Sequence, residues 1–287
     1  MSSQMAANFW LSSHCTEWLK NAKDEDNNPE VRQRKEKNRE IMLSDEEIKK
    51  LRIHMSTFIS QLGRNLHVKV RQRVISTATV YLARFYYHNS YKDFHPHLIA
   101  ATALYLASKV EESPVSHIVS ALKELHQTKW PKEESYDIRD IVDAEYFLME
   151  ELRFNLIVFH PYRQTELYMK DAKLESCVHT AWQIINDSYR LDLCLYYPPH
   201  IIAIAVVQMA GAYHNYDTTE WLKTLKFRDG HEKAIPEVQE KLLELYEDYS
   251  HLEHDEIMHI LDKVPRHPPL GKGASPVMSP PPVSTPG

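Results

Sequence analysis

The sequence predicts an all-α chain built as two tandem five-helix units, with a short helix before them and a disordered, proline-rich tail after them. Three observations lead there. Glycine is scarce: of six, Gly271, Gly273 and Gly287 fall in the tail, leaving Gly63, Gly211 and Gly230 for residues 1–263. A sandwich or doubly wound sheet needs many more positive-φ turns than three glycines supply. Apolar residues recur at helical rather than alternating spacing. And one apolar stretch occurs twice. With 43% apolar residues, the chain has material for a sizeable core.

The elements follow in order. Phe9, Trp10, Leu11, Trp18 and Leu19 predict a short amphipathic helix within Ala6–Lys20. Lys23–Glu40, rich in charge, Asn and Gln, reads as a solvated linker with room for some helix. Ser44 followed by Glu47 forms a capping box, and Ile48, Leu51, Met55, Phe58, Ile59 and Leu62 carry the first long helix. A second is expected over about Val70–Tyr87 and a third from Pro96 to near Lys109. A fourth is expected to start at Ser113-Pro114, since proline at a helix's first position loses no hydrogen bond. A fifth covers about Ile138–Phe154. Beyond Pro161, helices are expected at about 161–170, 176–190, 199–212, 218–224, 236–250 and 254–262. Residues 265–287 contain eight prolines and almost nothing apolar, so the tail is expected to be disordered or polyproline-like. The resulting division is 1–43 for the N-terminal helix and charged linker, 44–157 and 158–263 for the two units, and 264–287 for the tail.

The repeat pairs Pro96-His97-Leu98-Ile99-Ala100-Ala101 with Pro199-His200-Ile201-Ile202-Ala203-Ile204 and continues to Ala107 and Ala210, an offset of 103 residues. A helix apolar nearly all round is enclosed by its neighbours. The copies diverge at their ends. The first finishes Ser108-Lys109-Val110-Glu111-Glu112, the second Gly211-Ala212-Tyr213-His214-Asn215. Lys109 either caps a helix C-terminus, worth about 0.3–1 kcal/mol, or belongs to a polar docking site that only the first unit carries.

The string Leu106-Ala107-Ser108-Lys109-Val110-Glu111-Glu112 resembles the third helix of a box in the cyclin family. Asp143-Ala144-Glu145 with Leu148, Leu152, Phe154, Asn155 and Leu156 resembles its fifth. Longer matches are Ala7-Asn8-Phe9-Trp10, Thr77-Ala78-Thr79-Val80-Tyr81, Val158-Phe159-His160-Pro161-Tyr162-Arg163 and Asn186 through Cys194. They resemble the branch of the family that serves the Mediator-associated cyclin-dependent kinase. The resemblance implies two cyclin boxes and a nuclear, non-enzymatic subunit that activates that kinase and tunes RNA polymerase II transcription. It implies kinase-facing roles for Lys109 and Glu145, with Glu112 and Arg71 as secondary candidates. It also implies a groove for a further Mediator kinase-module subunit, at Trp10, Asn186, Asp187 and Tyr246. The alternative for Trp10 and Tyr246 is ordinary packing of the N-terminal segment. Cell-cycle members carry a Met-Arg-Ala-Ile-Leu substrate-docking patch where this chain has Leu51-Arg52-Ile53-His54-Met55, which suits a transcriptional member better.

Other classes find less support. No GxSxG, GxxxxGK[ST], GxGxxG or HExxH motif is present, so no catalytic residue is assigned. Cys15, Cys177 and Cys194 form no CxxC pair and read as reduced thiols. His95 and His97, or His251 and His254, lack a third convergent ligand, so neither metal nor cofactor is expected. There is no signal-peptide h-region, and no apolar stretch suffices for a bilayer of about 30 Å, so no membrane partner is expected. A net charge of −6 argues against nucleic acid as a direct partner. The local run Arg64, Lys69, Arg71 and Arg73 keeps open a DNA-binding transcription-factor core with the same fold. Arg32, Arg34, Lys35, Lys37 and Arg39 could serve nuclear import, and Ser275, Ser279 and Thr285, each before proline, are candidate phosphorylation sites.

Overall fold

The computed structural model describes residues 8–129, 136–227, 231–249 and 252–265, and every regular element among them is helical. Residues 266–287, with Ser275, Ser279 and Thr285, lie outside the described residues, as does His251. The first half holds α1 (Ser13–Thr16), α2 (Pro29–Glu40), α3 (Asp45–Arg64), α4 (Gln72–His88), α5 (Pro96–Val110), α6 (Ile118–Lys129) and α7 (Ile138–Glu151). The second holds α8 (Tyr162–Asp171), α9 (Val178–Ser188), α10 (Leu193–Tyr196), α11 (Pro199–Tyr213), α12 (Thr219–Thr224), α13 (Ala234–Asp248) and α14 (His254–Lys263).

The two copies of the repeated stretch are the axial helices of their halves. Proline occupies the first turn of both α5 and α11. Twelve of the fifteen residues of α5 are buried, and it packs on α3, α4 and α7. α11 packs on α8, α9 and α13. Alanines on both helices let neighbours approach closely. The same closeness explains Gly63, where an added Cβ would lie 2.7 Å from Ile75 Cγ1, and Gly211, where it would lie 2.8 Å from Thr218 Cγ2. The capping box at Ser44 forms as the sequence predicts, with reciprocal Ser44 and Glu47 bonds.

Three expectations are corrected. Ser113-Pro114 does not open the fourth helix. The Ser113 amide bonds back to Ser108 O at 2.7 Å while Glu112 turns left-handed at φ 53°, closing α5; the proline that follows prevents the helix from continuing. The next helix begins only at Ile118. The expected N-terminal helix is a 3₁₀ turn, Phe9–Leu11, followed by the single turn α1, interrupted by extended backbone at Ser12. Tertiary contacts decide here. Phe9 meets the edges of His14 and Phe159, and Trp18 is buried beneath the Arg84 guanidinium at 5.0 Å. The supposed linker contains the full helix α2. Asn28 caps it, Pro29 takes its first turn and Val31 is buried with Tyr87 and Leu195. Polar contacts hold the rest: Arg34 Nη1 donates to the Tyr86 and Tyr87 carbonyls at the end of α4, Lys37 pairs with Asp93, and buried Asn38 accepts from Ser90 Oγ and Tyr91 N. Such contacts leave no trace in hydrophobic periodicity.

The halves meet along a polar seam on α4. Thr77 Oγ1 and His160 Nε2 lie 2.8 Å apart, and His160 Nδ1 lies 2.5 Å from the Tyr189 hydroxyl. Ser76 Oγ bonds the Tyr162 hydroxyl, Tyr81 Oη donates to Leu156 O, and Arg84 Nη1 donates to Asn155 O. The N-terminal segment locks the same seam: His14 Nδ1 accepts from Phe159 N, and Glu17 accepts from Asn155 Nδ2. α14 returns to α3 through Lys50–Glu256 and Lys263–Glu47.

Burial in the seam, helped by Arg84 for His14 and by Arg73 for His160, holds both imidazoles down at about 3. An unfolded histidine titrates near 6.5. Between those limits the unfolded chain takes up protons that the folded chain does not, so stability is complete above about pH 6.5 and falls as pH drops. Each histidine should cost about 1–2 kcal/mol by pH 5. Thermal melts from pH 7.5 to 5 should show a falling midpoint, with a shallower fall in His160→Gln; a flat midpoint would place the histidines elsewhere in the energetics.

Candidate functional site

Lys109 is the last basic residue of α5, and Glu145 sits on the facing turn of α7. Lys109 Nζ donates to both Glu145 oxygens at 2.8 Å and lies 4.0 Å above the Tyr105 ring. Glu145 is 7% exposed, whereas the lysine side chain keeps 42% of its surface in water. Partial burial works against the lysine's charge, but the Glu145 bonds prevail and raise its affinity for the proton. The lysine is therefore held in its charged form, anchored on a nearly buried acid with its ammonium open to water.

Around it α7 presents a second apolar stripe. Ile141, Ala144 and Leu148 point into the core. Ile138, Val142 and Tyr146 are 46%, 45% and 62% exposed, on the side of the helix that carries Glu145. A helix with two apolar faces buries one within its own fold and offers the other to a partner. Periodicity over 138–149 contains this signal, but expecting a helix there does not tell the outward face from the inward one. A further residue of this face not singled out from the sequence is Glu111, which accepts from Thr77 Oγ1 at 2.8 Å and pairs with Arg73 Nε at 2.7 Å. Glu111 ties the rim of this face to the seam-forming helix α4.

Arg71 and Glu112 are both exposed, on either side of the Arg73–Glu111 pair in sequence. That pair also bears on the basic run at 64–73. Arg73 is neutralised by Glu111 and Arg64 donates to Gln72 Oε1, so the run does not present four open cations to a duplex.

The four residues expected to share one groove are divided. Asp187 and Tyr246 line a cleft of about 910 Å³ between α9, α11 and α13, with Ile184, Met209 and Leu243. Tyr246 Oη donates to Asp187 Oδ2 at 3.2 Å, and Arg190 stands 3.9 Å from Asp187. Burial raises the Asp187 carboxyl against the pull of Arg190. Asn186, next in the chain, turns to the seam and accepts from the Tyr162 hydroxyl at 2.7 Å. Trp10 lines a different cleft, with Phe9, Phe159 and Leu167, and packs on His200 and His231. Sequence spacing could not separate these positions, because the separation is made by the two ends of α11.

Among the described residues no group of three His, Cys, Asp or Glu could hold a metal ion, and no helix is long and apolar enough to cross a membrane.

Because Lys109 is half exposed, its pair with Glu145 should add only about 0–1 kcal/mol to stability. Lys109→Met should therefore melt within a few degrees of the parent by circular dichroism. A larger loss would make the pair a structural strut.

A model of the cyclin N-terminal domain matches residues 26–157. Cyclin-C of Rattus norvegicus is 38% identical, covering 92% of this chain and 92% of its own length. Cyclin-C1-1 of Oryza sativa subsp. japonica is 37% identical, covering 91% and 99%, and Cyclin-C of Drosophila melanogaster is 37% identical, covering 92% and 98%. Among solved structures, a chain of the CAK complex from Chaetomium thermophilum matches with a TM-score of 0.68 at 19% identity over 92% of this chain and 89% of that one. A chain of the yeast TFIIK (Kin28/Ccl1/Tfb3) complex gives 0.57 at 20%, over 82% and 100%. At those identities the structures speak for the fold alone. The sequence relatives, alike over nearly their whole lengths, decide the rest: the chain belongs to the cyclin family, in its cyclin-C branch.

Proposed function

We propose that this chain is a non-catalytic regulatory subunit that binds and activates a cyclin-dependent kinase of the Mediator complex, and so regulates RNA polymerase II transcription in the nucleus. The observation that carries the reading is the Lys109–Glu145 pair set in the exposed stripe Ile138, Val142 and Tyr146. Its position in the repeat supports this, because the second half has Ala212 where the first has Lys109 and cannot form the pair. The names of the sequence relatives and the complexes containing the structural neighbours, CAK and TFIIK, point to the same class of partner.

The physical account is a population shift. A protein kinase is active when its β3 lysine pairs with the αC glutamate and its metal ligands are in place. A rigid surface that binds this arrangement better than the displaced one favours it by the difference in affinity, and by no more. The apolar stripe supplies buried area and the charged pair orients the docking. Arg71 and Glu112 lie at the rim, where charge acts mainly on association rate. The Asp187–Tyr246 cleft is the candidate surface for a further kinase-module subunit, with Asn186 holding α9 from behind. Trp10, in the neighbouring cleft, is either a second anchor for that subunit or packing for the N-terminal segment.

Lys109→Glu combined with Tyr146→Ala should abolish kinase retention in a pull-down from nuclear extract while helical circular dichroism stays intact; undiminished retention would remove this face from the interface. Asp187→Ala with Tyr246→Ala should retain the kinase yet lose the added stimulation by the further subunit. If both functions fell together, the cleft assignment would be wrong.

A further inference from the structure

A third, smaller cleft lies where the two halves meet, between α3, α13 and the turn that follows α9. Its volume is about 170 Å³, and its charged lining residues are Lys49, Arg52, Arg190, Asp192, Lys241 and Glu244. Four cations face two carboxylates, on a chain whose net charge is −6. Arg52 is spoken for by its ion pair with Asp192. Lys49 and Lys241 are exposed and take part in no ion pair among the described residues. Arg190 has only the long 3.9 Å approach to Asp187, whose other oxygen accepts from Tyr246. The Arg190 Nε–H is buried and has no acceptor among the described residues.

We propose that this cleft docks a phosphorylated serine or threonine side chain of a partner peptide. With Asp187 drawing on Arg190, the cleft keeps a positive balance carried by Lys49 and Lys241, and a phosphate monoester, with about −1.5 to −2 charge at pH 7 and three strong acceptor oxygens, offers these donors more acceptors than a carboxylate does. The guanidinium of Arg190 and the exposed ammonium groups of Lys49 and Lys241 are the donors that such an anion recruits. The cleft is compact rather than a continuous basic track, which favours a single anionic side chain over a nucleic-acid backbone. It stands apart from the Lys109–Glu145 face, so the inference does not depend on the kinase assignment.

The test uses the full chain on an array of short peptides with random flanks around a fixed central residue: serine, phosphoserine, phosphothreonine or glutamate. The phosphorylated sets should be retained about tenfold better than the serine and glutamate sets. Lys49→Glu with Lys241→Glu should remove that preference by about tenfold or more, with circular dichroism and kinase retention unchanged. Should the double exchange fail to fold, Lys241→Gln alone must still weaken phosphopeptide retention several-fold. Equal retention of serine and phosphoserine peptides would overturn the proposal, as would a preference untouched by the exchanges. So would displacement of the phosphopeptides by single-stranded RNA with a steep salt dependence, which would mark a general polyanion surface.

Discussion

The structure turns on α4 and what its polar residues must satisfy. A helix buried on most of its circumference would ordinarily be apolar, yet α4 carries Ser76, Thr77, Thr79 and Arg84, all nearly or fully buried. Leaving such groups unpaired would cost about 1–3 kcal/mol each, so the chain brings partners to them. Asn155, Leu156 and His160, from the connection between halves, and Tyr162, at the start of α8, meet Arg84, Tyr81, Thr77 and Ser76 of α4. Arg84 also receives the Trp18 ring, and with it the N-terminal segment. The seam thus fixes the second half, the N-terminal strap and the interhalf connection against one helix. The same helix reaches through Thr77 to Glu111, at the rim of the Lys109 face.

This arrangement explains how two halves built on one plan present different surfaces. The axial helices need similar apolar packing, which the repeat preserves. The edges are free to differ. In the first half α5 ends in a lysine anchored on a nearly buried glutamate; in the second, α11 ends beside an aromatic-rimmed cleft closed by Tyr246. A rigid scaffold with unlike edges suits a protein that acts by holding others, since any shift of a partner's equilibrium equals the difference in contacts it can offer to the two states.

Much of the fold was legible beforehand. The axial helices were visible in Pro96 and Pro199 with their alanines, α3 in its capping box, and the asymmetry of the halves in Lys109 against Ala212. The resemblance singled out Lys109 and Glu145, and the structure shows that they pair with each other. What escaped was of two kinds. Helix α2 is held by polar anchors whose partners lie about fifty residues away, so no local period announces it. The start of α6 was misplaced because Ser-Pro can open a helix or follow one, and only the left-handed Glu112 tells which.

The amino-acid order by itself determined the helical class, the internal repeat and the charge that marks one unit, because these rest on periodicity and composition, which are local. The tertiary structure alone decided which apolar residues of α7 face outward, that Trp10 and Tyr246 line different clefts, and that Lys49, Arg190 and Lys241 converge. Convergence of residues far apart in the chain is set by how helices cross and by which buried polar groups must be paired. Neither quantity has a local signature.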